Sequence, residues 1–188
     1  MRPTSSRLQG FTRPVVAGVV LTTLVGLATP VTARERALTL SSRISTSGLG
    51  PVGIGLTKGQ AERVARTRID YQGEGLGNCR YAAPRNRSIR ASFMLINNRV
   101  ARVDVSRRGV STPSGIRVGD SESSARRQLA GRLEISKHKY VRGGLYLEFV
   151  PRESKDSNRR VIFETDGRRI THIRAGRLPE VRYIEGCA

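Results

Sequence analysis

The strongest constraint on the fold of this chain is an internal repeat. The segment 54–61 aligns with the segment 118–125 at an offset of 64 residues, with an apolar residue, a glycine, a hydroxyl and a later alanine in the same places. The hydroxyl residue of each copy, Thr57 or Ser121, has the position of a helix N-cap, whose side chain accepts from free backbone amides of the first turn. Gln60 completes a capping-box pattern in the first copy, whereas the second copy keeps only the cap.

The residues after each cap predict a short amphipathic helix and then a β-hairpin. The apolar spacing favours helices over residues 58–67 and 122–130. Alternating apolar residues on either side of two turn-forming residues favour hairpins. The predicted hairpins pair 91–96 with 99–105 across Asn97-Asn98, and 160–165 with 169–175 across Asp166-Gly167. Because segments 99–104 and 169–174 align at an offset of 70, the second copy has a longer middle, where residues 145–150 predict a further strand.

An α-then-β unit that occurs twice predicts an α+β fold. The two modules, residues 48–108 and 114–188, are each too small to bury a good core alone. We therefore expect two tandem helix-plus-antiparallel-sheet modules that share one core, with the helices on one face. The Ser- and Thr-rich stretch before them, residues 34–47, is expected to be a flexible arm.

The first 33 residues have the composition of a secretory signal peptide. Residues 2–14 contain three arginines and no acid, and residues 15–28 are an apolar run, which is the order of the n-region and h-region of an export signal. The apolar run is shorter than the roughly 20 residues that a membrane-spanning helix needs. We expect cleavage after Ala33 and a periplasmic or secreted mature chain without a transmembrane segment. An uncleaved amino-terminal anchor is the alternative.

The repeated motif resembles that of a known group of proteins. Gly-Leu-Thr-Lys-Gly-Gln-Ala at 55–61, followed by hairpins and repeated once, is similar to the glycine–methionine–threonine motif that opens each half of β-lactamase inhibitory protein. The same motif opens the single module of the small lipoprotein in the outer-membrane barrel-assembly machinery. In this chain Leu56 and Asp120 replace the methionine, and no tryptophan is present to line a concave surface. The resemblance covers most of the mature chain and implies tandem modules with inhibitor-like protein binding.

The charge of the chain is strongly positive. Lys and Arg number 34 against 15 Asp and Glu, which gives a net charge of +19, and removal of residues 1–33 would leave +16. Such a charge attracts acidic proteins, anionic polysaccharides, lipopolysaccharide or nucleic acid without specific contacts. Because all but four of these cationic residues are arginines, a purely compositional origin is the alternative.

The two cysteines, Cys79 and Cys187, lie in the part of the chain that is predicted to be exported. An even number of cysteines in an oxidising compartment predicts a disulfide between them, which closes a loop of just over a hundred residues. Two free thiols are the alternative. The histidines and cysteines lack the spacing of metal ligands, so neither a metal site nor a cofactor is predicted.

Residues that could carry catalysis are sparse. A nucleophilic triad needs a histidine beside a serine or cysteine, but His138 and His172 are the two histidines of the chain, and no acid lies within three residues of His138. A Gly-x-Ser-x-Gly elbow does not occur. We therefore expect a protein that is not an enzyme. A small secreted hydrolase with a pair of carboxylates is the alternative.

Strand alternation assigns a polar set of residues to the sheet face away from the helices. The inward set is expected to be Ala101, Val103, Val105, Leu145, Leu147, Phe149, Thr171 and Ile173. The outward set combines both signs of charge with tyrosine and arginine, the residue types that dominate interface hot spots. Its members are Arg102, Asp104, Tyr146, Glu148, His172 and Arg174.

These features together favour a monomeric, non-catalytic binding module of the cell envelope. We expect it to recognise an envelope or secreted protein, acidic proteins included, through the exposed sheet face. The first alternative is a basic polyanion-binding protein, for which the segment 80–108, with eight arginines and a single acid, is the best candidate. A merely solvated sheet face is the second alternative.

The signal peptide gives the first testable prediction. Protein recovered from the periplasm or the medium should begin at Arg34, because cleavage after Ala33 follows the apolar run at the spacing of export signals. Intact-mass measurement of the recovered protein checks this. A full-length mass in that fraction would contradict it.

Overall fold

The computed structural model describes residues 37–86 and 88–188, so the predicted signal peptide, residues 1–33, lies outside the described residues. The helices are α1, Lys58–Ala65, and α2, Glu122–Gln128, with 3₁₀ turns at Ser154–Asp156 and Glu180–Arg182. The strands are β1, Ile44–Ser45; β2, Gly48–Leu49; β3, Val52–Gly53; β4, Ile69–Leu76; β5, Cys79–Pro84; β6, Ala91–Ile96; β7, Arg99–Val105; β8, Leu133–Lys137; β9, Leu145–Phe149; β10, Arg159–Thr165; and β11, Ile170–Arg177. Within the described ranges, no helix is long and apolar enough to cross a membrane.

Strands dominate the fold, which is α+β. Eight strands form one antiparallel sheet in the order β4-β5-β6-β7-β11-β10-β9-β8, and β1 to β3 form a small second sheet. Within the large sheet, strands β4–β7 meet strands β8–β11 where β7 pairs with β11. There Val103 pairs with Ala175, and Val105 pairs with Ile173. One continuous sheet therefore contains strands from both halves of the chain.

The helix caps form as the sequence predicts. The Thr57 hydroxyl accepts from the backbone N–H of Gln60 at 3.2 Å, and the Gln60 side-chain oxygen accepts from the backbone N–H of Thr57 at 2.9 Å. Ser121 accepts from Ser124 N at 3.4 Å and lacks the reciprocal bond. Both helices end two residues before the predicted bounds, and Arg66 closes α1 with a φ of 53°.

One hydrophobic core contains buried residues from both helices and from both halves of the sheet. Ala61 and Ala65 of α1 and Ala125 of α2 are buried in the same cluster as Phe93 and Phe163. The small alanine side chains let the helices approach the large side chains of the strands closely. The shared core agrees with the expectation that neither half buries enough apolar surface alone.

Both predicted hairpins are present. Asn97 and Asn98 have φ values of 49° and 59°, the left-handed values that a two-residue hairpin turn requires. In the second hairpin the Asp166 carboxylate accepts from the backbone N–H groups of Arg168 and Arg169 at 2.8 and 2.7 Å. Those amides, Arg169 first, hold the pKa of Asp166 below its usual value.

One residue of the predicted inward set is exposed. Thr171 was expected to face the helices, but its pairing register shifts at a bulge between Glu164 and Thr165. The Thr171 side chain is exposed and donates to the Glu164 carbonyl at 3.2 Å. A bulge changes which face a side chain occupies, and the alternation of residues alone does not reveal it.

The segment 34–47 is not a flexible arm where the structure describes it, from residue 37 onwards. Leu38 and Ile44 are buried in the main core, and Ile44 N donates to the Ser111 carbonyl at 2.9 Å. Apolar residues are sparse among the serines and threonines of this segment. Its overall composition therefore did not indicate that a few of them anchor it to the core.

The predicted disulfide between Cys79 and Cys187 is confirmed, with 108 residues of separation. It ties the end of the chain to the start of β5. Closure of a loop this long stabilises the fold by up to about 4–5 kcal/mol on the chain-entropy model. Disulfides persist in oxidising compartments, so the bond fits an extracytoplasmic protein.

The junction of the two halves gives the second prediction. Gly176 lies opposite Arg102, and a Cβ there would lie 2.4 Å from the Ala101 carbonyl oxygen. Gly176→Ala should therefore separate β7 from β11 and lower the free energy of unfolding by about 1–3 kcal/mol. Urea unfolding measures this.

Gly59→Ala is the matched control. The position is helical with no contact under 3.9 Å, so alanine should raise the free energy of unfolding by about 0.5–1 kcal/mol. Equal effects of the two substitutions would refute the close approach of β7 and β11.

Candidate functional site

The C-terminal segment, residues 178–188, lies across the sheet face that is turned away from the main core. Tyr146 and Ile162 on that face pack with Leu178 and Val181 in a second, smaller hydrophobic cluster. The 3₁₀ turn Glu180–Arg182 lies within this segment. The polar sheet face, which the sequence predicts to be exposed, is therefore partly covered by the chain itself.

Arg102 is the central contact beneath the C-terminal segment. Its Nε donates to Asp104 Oδ2 at 2.9 Å, and its Nη1 donates to the carbonyl oxygens of Glu180 (3.1 Å) and Tyr183. Its Nη2 donates to the Tyr81 hydroxyl. The side chain of Arg102 is thus bonded to the sheet on one side and to the C-terminal backbone on the other, and the residue is 3% exposed.

Two neighbours of Arg102, Tyr81 and Arg174, have shifted pKa values. Burial, reinforced by the charge of Asp104, raises the pKa of Tyr81 to about 12, so its phenol stays neutral at physiological pH. Burial and, less strongly, the nearby Arg102 lower the pKa of Arg174, which the Glu164 carboxylate partly offsets. Arginine remains charged at neutral pH even so. The sheet face therefore holds two buried guanidinium groups side by side.

Arg174 and His138 share the Glu164 carboxylate. Arg174 Nε lies 3.0 Å from Glu164 Oε1 but makes no hydrogen bond, so this contact is an ion pair without hydrogen-bond geometry. His138 Nδ1 accepts from the backbone N–H groups of Tyr140 and Val141 at 3.1 and 3.2 Å. His138 Nε2 must then carry the proton that it shares with Glu164 Oε2 at 3.2 Å. Both ring nitrogens of His138 are engaged, so the ring holds the Glu164 carboxylate in place.

An open cleft of about 560 Å³ remains beside the C-terminal segment. Its floor is the outer sheet face, one wall is formed by residues 184–186, and its rim includes the ends of the loops at residues 89–91 and 106–107. The lining residues are Gln72, Tyr81, Ala83, Pro84, Ile89, Arg90, Ala91, Ser92, Arg102, Asp104, Ser106, Arg107, Glu164, His172, Arg174, Ile184, Glu185 and Gly186.

Four of the six predicted site residues line the cleft, namely Arg102, Asp104, His172 and Arg174. The expectation that they are exposed is wrong for three of them. Arg102 and Arg174 are each 3% exposed and Asp104 is 9% exposed, because the C-terminal segment and the neighbouring side chains cover them. His172 is partly exposed, and its Nε2 lies 3.5 Å from Asp104 Oδ1 without a hydrogen bond.

Tyr146 and Glu148 lie outside the cleft and are also less exposed than expected. Tyr146 is 9% exposed, and its ring stacks on His138 at a centroid distance of 4.5 Å. The Glu148 carboxylate accepts from Arg160 Nε at 2.9 Å and from Arg182 Nη2 at 2.6 Å. These two residues hold the C-terminal segment in place and are not free to meet a partner.

The free charges of the cleft are at its rim. Arg90 and Arg107 are exposed, and within residues 37–86 and 88–188 neither makes an ion pair or a side-chain hydrogen bond. The cations on the floor already face carboxylates, and Glu185 is paired with Lys139 at 3.2 Å. Anionic groups are therefore the ligands that this cleft would attract most strongly.

The Ser92 hydroxyl in the cleft is already engaged. Ser92 is paired with Asp104 across β6 and β7, but its hydroxyl donates to Gln72 Oε1 at 3.1 Å and so does not donate to a histidine. In the part of the chain that the structure describes, no group of three or more His, Cys, Asp or Glu could hold a metal ion. The arrangement is suited to binding charge.

Sequence reasoning missed the rim arginines and the partner of His138. Glu164 lies 26 residues beyond His138, too far for a search of neighbouring positions to find. Arg90 and Arg107 are within the arginine-rich segment 80–108, but nothing local distinguishes them from the other arginines there. The predicted Cys79–Cys187 bridge was the one signal that the chain end returns to the sheet.

Comparison with known proteins gives fold-level likeness only. No protein family model matches the chain, and no curated protein matches it. The structure of the uncharacterized protein yfeY from Escherichia coli is similar with a TM-score of 0.46 and 14% identity, over 72% of this chain and 99% of that chain. An extracellular protein containing a SCP domain from Bacillus anthracis is similar with a TM-score of 0.42 and 9% identity, over 66% of this chain and 44% of that chain. Neither is described as a β-lactamase inhibitory protein or as an assembly lipoprotein, and that resemblance stays a prediction.

The buried network gives the third prediction. Arg102→Leu should lower the free energy of unfolding by about 3–5 kcal/mol, because it leaves the Asp104 carboxylate buried without its partner. The double variant Arg102→Leu/Asp104→Asn should recover part of this loss, since it removes the unpaired charge. Arg127→Leu, on the exposed surface of α2, should change stability by less than about 0.5 kcal/mol. Chemical denaturation of the three variants checks the ranking, and a double variant no more stable than Arg102→Leu would contradict this role.

Proposed function

We propose that this protein is an exported, non-catalytic binding module of the cell envelope, which receives an acidic segment of a protein partner in the cleft on its outer sheet face. The observation that carries the proposal is the pair of unpartnered cations at the rim, Arg90 and Arg107, above a floor whose own charges are already paired. The partner would be an envelope or secreted protein, met in the periplasm or outside the cell.

The fixed floor supports recognition of a shaped partner. Arg102 donates four hydrogen bonds to acceptors on the sheet and on the C-terminal backbone, and the disulfide at Cys187 fixes the end of that backbone. A preorganised site loses less conformational entropy when a partner binds. Carboxylates that enter between the rim arginines can form charge-assisted hydrogen bonds, which are stronger than neutral ones.

The modular organisation is part of the same proposal. We infer that residues 48–108 and 114–188 are tandem copies of one helix-plus-antiparallel-sheet module, with the helices on one face. The repeated caps at Thr57 and Ser121, the sheet order that joins β7 to β11, and the common core support it. In this arrangement the binding cleft lies across the junction of the modules, on strands of both.

The absence of catalysis is also a proposal. The pair formed by His172 and Asp104 is the arrangement in the cleft that most resembles acid–base machinery. A hydrolase would need a free nucleophile or a free second carboxylate beside it. The Ser92 hydroxyl is directed to Gln72, and Glu164, the cross-strand partner of His172, is already engaged by Arg174 and His138. This geometry favours binding over a secreted hydrolase.

Polyanion binding is the second candidate function, and the distribution of arginines supports it. Ten exposed arginines of the described ranges make no ion pair or side-chain hydrogen bond, and they lie on several faces. They are Arg63, Arg66, Arg80, Arg90, Arg107, Arg117, Arg127, Arg142, Arg152 and Arg168. A dispersed charge of this kind binds lipopolysaccharide, anionic polysaccharide or nucleic acid with strong salt dependence.

The fourth prediction separates the two candidates. Arg90→Glu/Arg107→Glu should weaken binding of a glutamate-rich peptide at least tenfold, because it reverses both charges at the rim. Arg127→Glu/Arg168→Glu makes the same change in net charge away from the cleft. It should weaken binding of the peptide by less than twofold. Fluorescence anisotropy with the mature protein at about 0.3 M salt, where the Debye length is about 6 Å, measures both.

The competing outcome is equally defined. If the two double variants lose affinity equally for the peptide and for heparin, the cleft has no special role. That result would support polyanion binding by the dispersed arginines. Heparin affinity should then fall steeply and linearly with the logarithm of salt concentration.

A further inference from the structure

A second cavity, of about 340 Å³, opens on the main-core side of the sheet, next to the end of α2. Its walls come from β1, β9, β10 and the loops at residues 112–114 and 151–156. The lining residues that a ligand would meet include Ile44, Leu129, Val161 and Phe163 on the apolar side, and Arg132 and Lys155 at the mouth. Its lining differs from that of the cleft, with which it shares no residue.

The inner end of this cavity is apolar. Ile44 is fully buried, Phe163 is 2% exposed, and Val161 and Leu129 are 5% and 8% exposed. All four belong to the main hydrophobic core, so the cavity reaches into the core. Apolar cavities of about 150 Å³ bind benzene, and this one is large enough for a longer apolar group.

The mouth of the cavity carries two cations, Arg132 and Lys155, whose ability to bind an anion is not fully used within the chain. The Arg132 guanidinium lies 4.4 Å from the centre of the Phe149 ring, and its Nε is buried without a hydrogen bond. Its nearest carboxylate is that of Glu153, at 3.9 Å. Lys155, exposed at the same mouth, has no ion pair or side-chain hydrogen bond among the described residues.

The second acid at the mouth is already occupied. Asp156 accepts from the Thr46 hydroxyl at 3.0 Å and lies 3.7 Å from Arg159 Nη1. An incoming anion would therefore meet Lys155 and the Nη groups of Arg132, which make no hydrogen bond among the described residues and face Glu153 only at 3.9 Å. A planar guanidinium matches a carboxylate in geometry and charge.

We propose that this cavity binds a small amphipathic carboxylic acid. The apolar part, a short acyl chain or a single aromatic ring, occupies the space between Leu129, Val161 and Phe163. The carboxylate lies at the mouth, on Arg132 and Lys155. The proposal is independent of the function assigned to the cleft, because it uses different residues on the other face of the sheet.

Octanoate and octanol are the probes that test this proposal, since they share a chain and differ in charge. Titration calorimetry with the mature protein should give one saturable site for octanoate, at least tenfold tighter than for octanol. Arg132→Gln should remove that preference and leave octanol binding unchanged. Thermal unfolding of the variant establishes that it is folded.

Arg127→Gln is the control variant, because it removes one charge from the exposed surface of α2. It should bind octanoate like the wild type. Equal affinity of the wild type for the two probes, or octanoate binding that Arg127→Gln and Arg132→Gln weaken alike, would overturn the proposal. The comparison of probes on the wild-type protein stands even if Arg132→Gln does not fold. Loss of octanoate binding in Arg90→Glu/Arg107→Glu would instead assign the ligand to the cleft and also overturn the cavity site.

Discussion

The antiparallel pairing of β7 with β11 is the interaction on which the rest of the structure depends. Each half of the chain supplies four strands of the large sheet and one short helix, and this pairing joins the two sets of strands into one sheet over one core. Without it, each half would leave one side of its last strand unpaired and its core open. Gly176 makes the pairing possible, because its missing side chain lets β11 approach Ala101 and Arg102 closely. The cleft follows from the same pairing, since Asp104 and Arg174 are direct partners across it.

The C-terminal segment converts the outer face of this sheet from an exposed surface into a partly internal one. Burial of guanidinium groups is costly unless their hydrogen bonds are satisfied, and the backbone carbonyl of Tyr183 accepts from both Arg102 and Arg174. The cations thus fix the path of the segment, and Cys187 fixes its end. What remains open is a cleft whose shape is set by internal bonds and whose free charges are at the rim.

Local signals allowed the sequence to predict the local structure. The caps at Thr57 and Ser121, the Asn97-Asn98 turn and the inward positions of Leu145 and Leu147 depend on neighbouring residues, and all are present in the structure. The site depends on contacts between residues far apart in sequence. Arg102 meets Glu180 across 78 residues, and no periodicity encodes that contact. Alternation therefore identified the correct face for Arg102 and Arg174 but could not indicate that the chain end covers it.

Strand β10 connects the two candidate sites physically. Val161 and Phe163 line the apolar cavity on one face of this strand, while Glu164 lines the cleft on the other. Glu164 in turn contacts Arg174 and His138, so its position matters to the floor of the cleft. Residues of one strand therefore line the cavity on one face of the sheet and the cleft on the other. The alternation of side chains along one central strand is thus sufficient to place an apolar site and a charged site back to back.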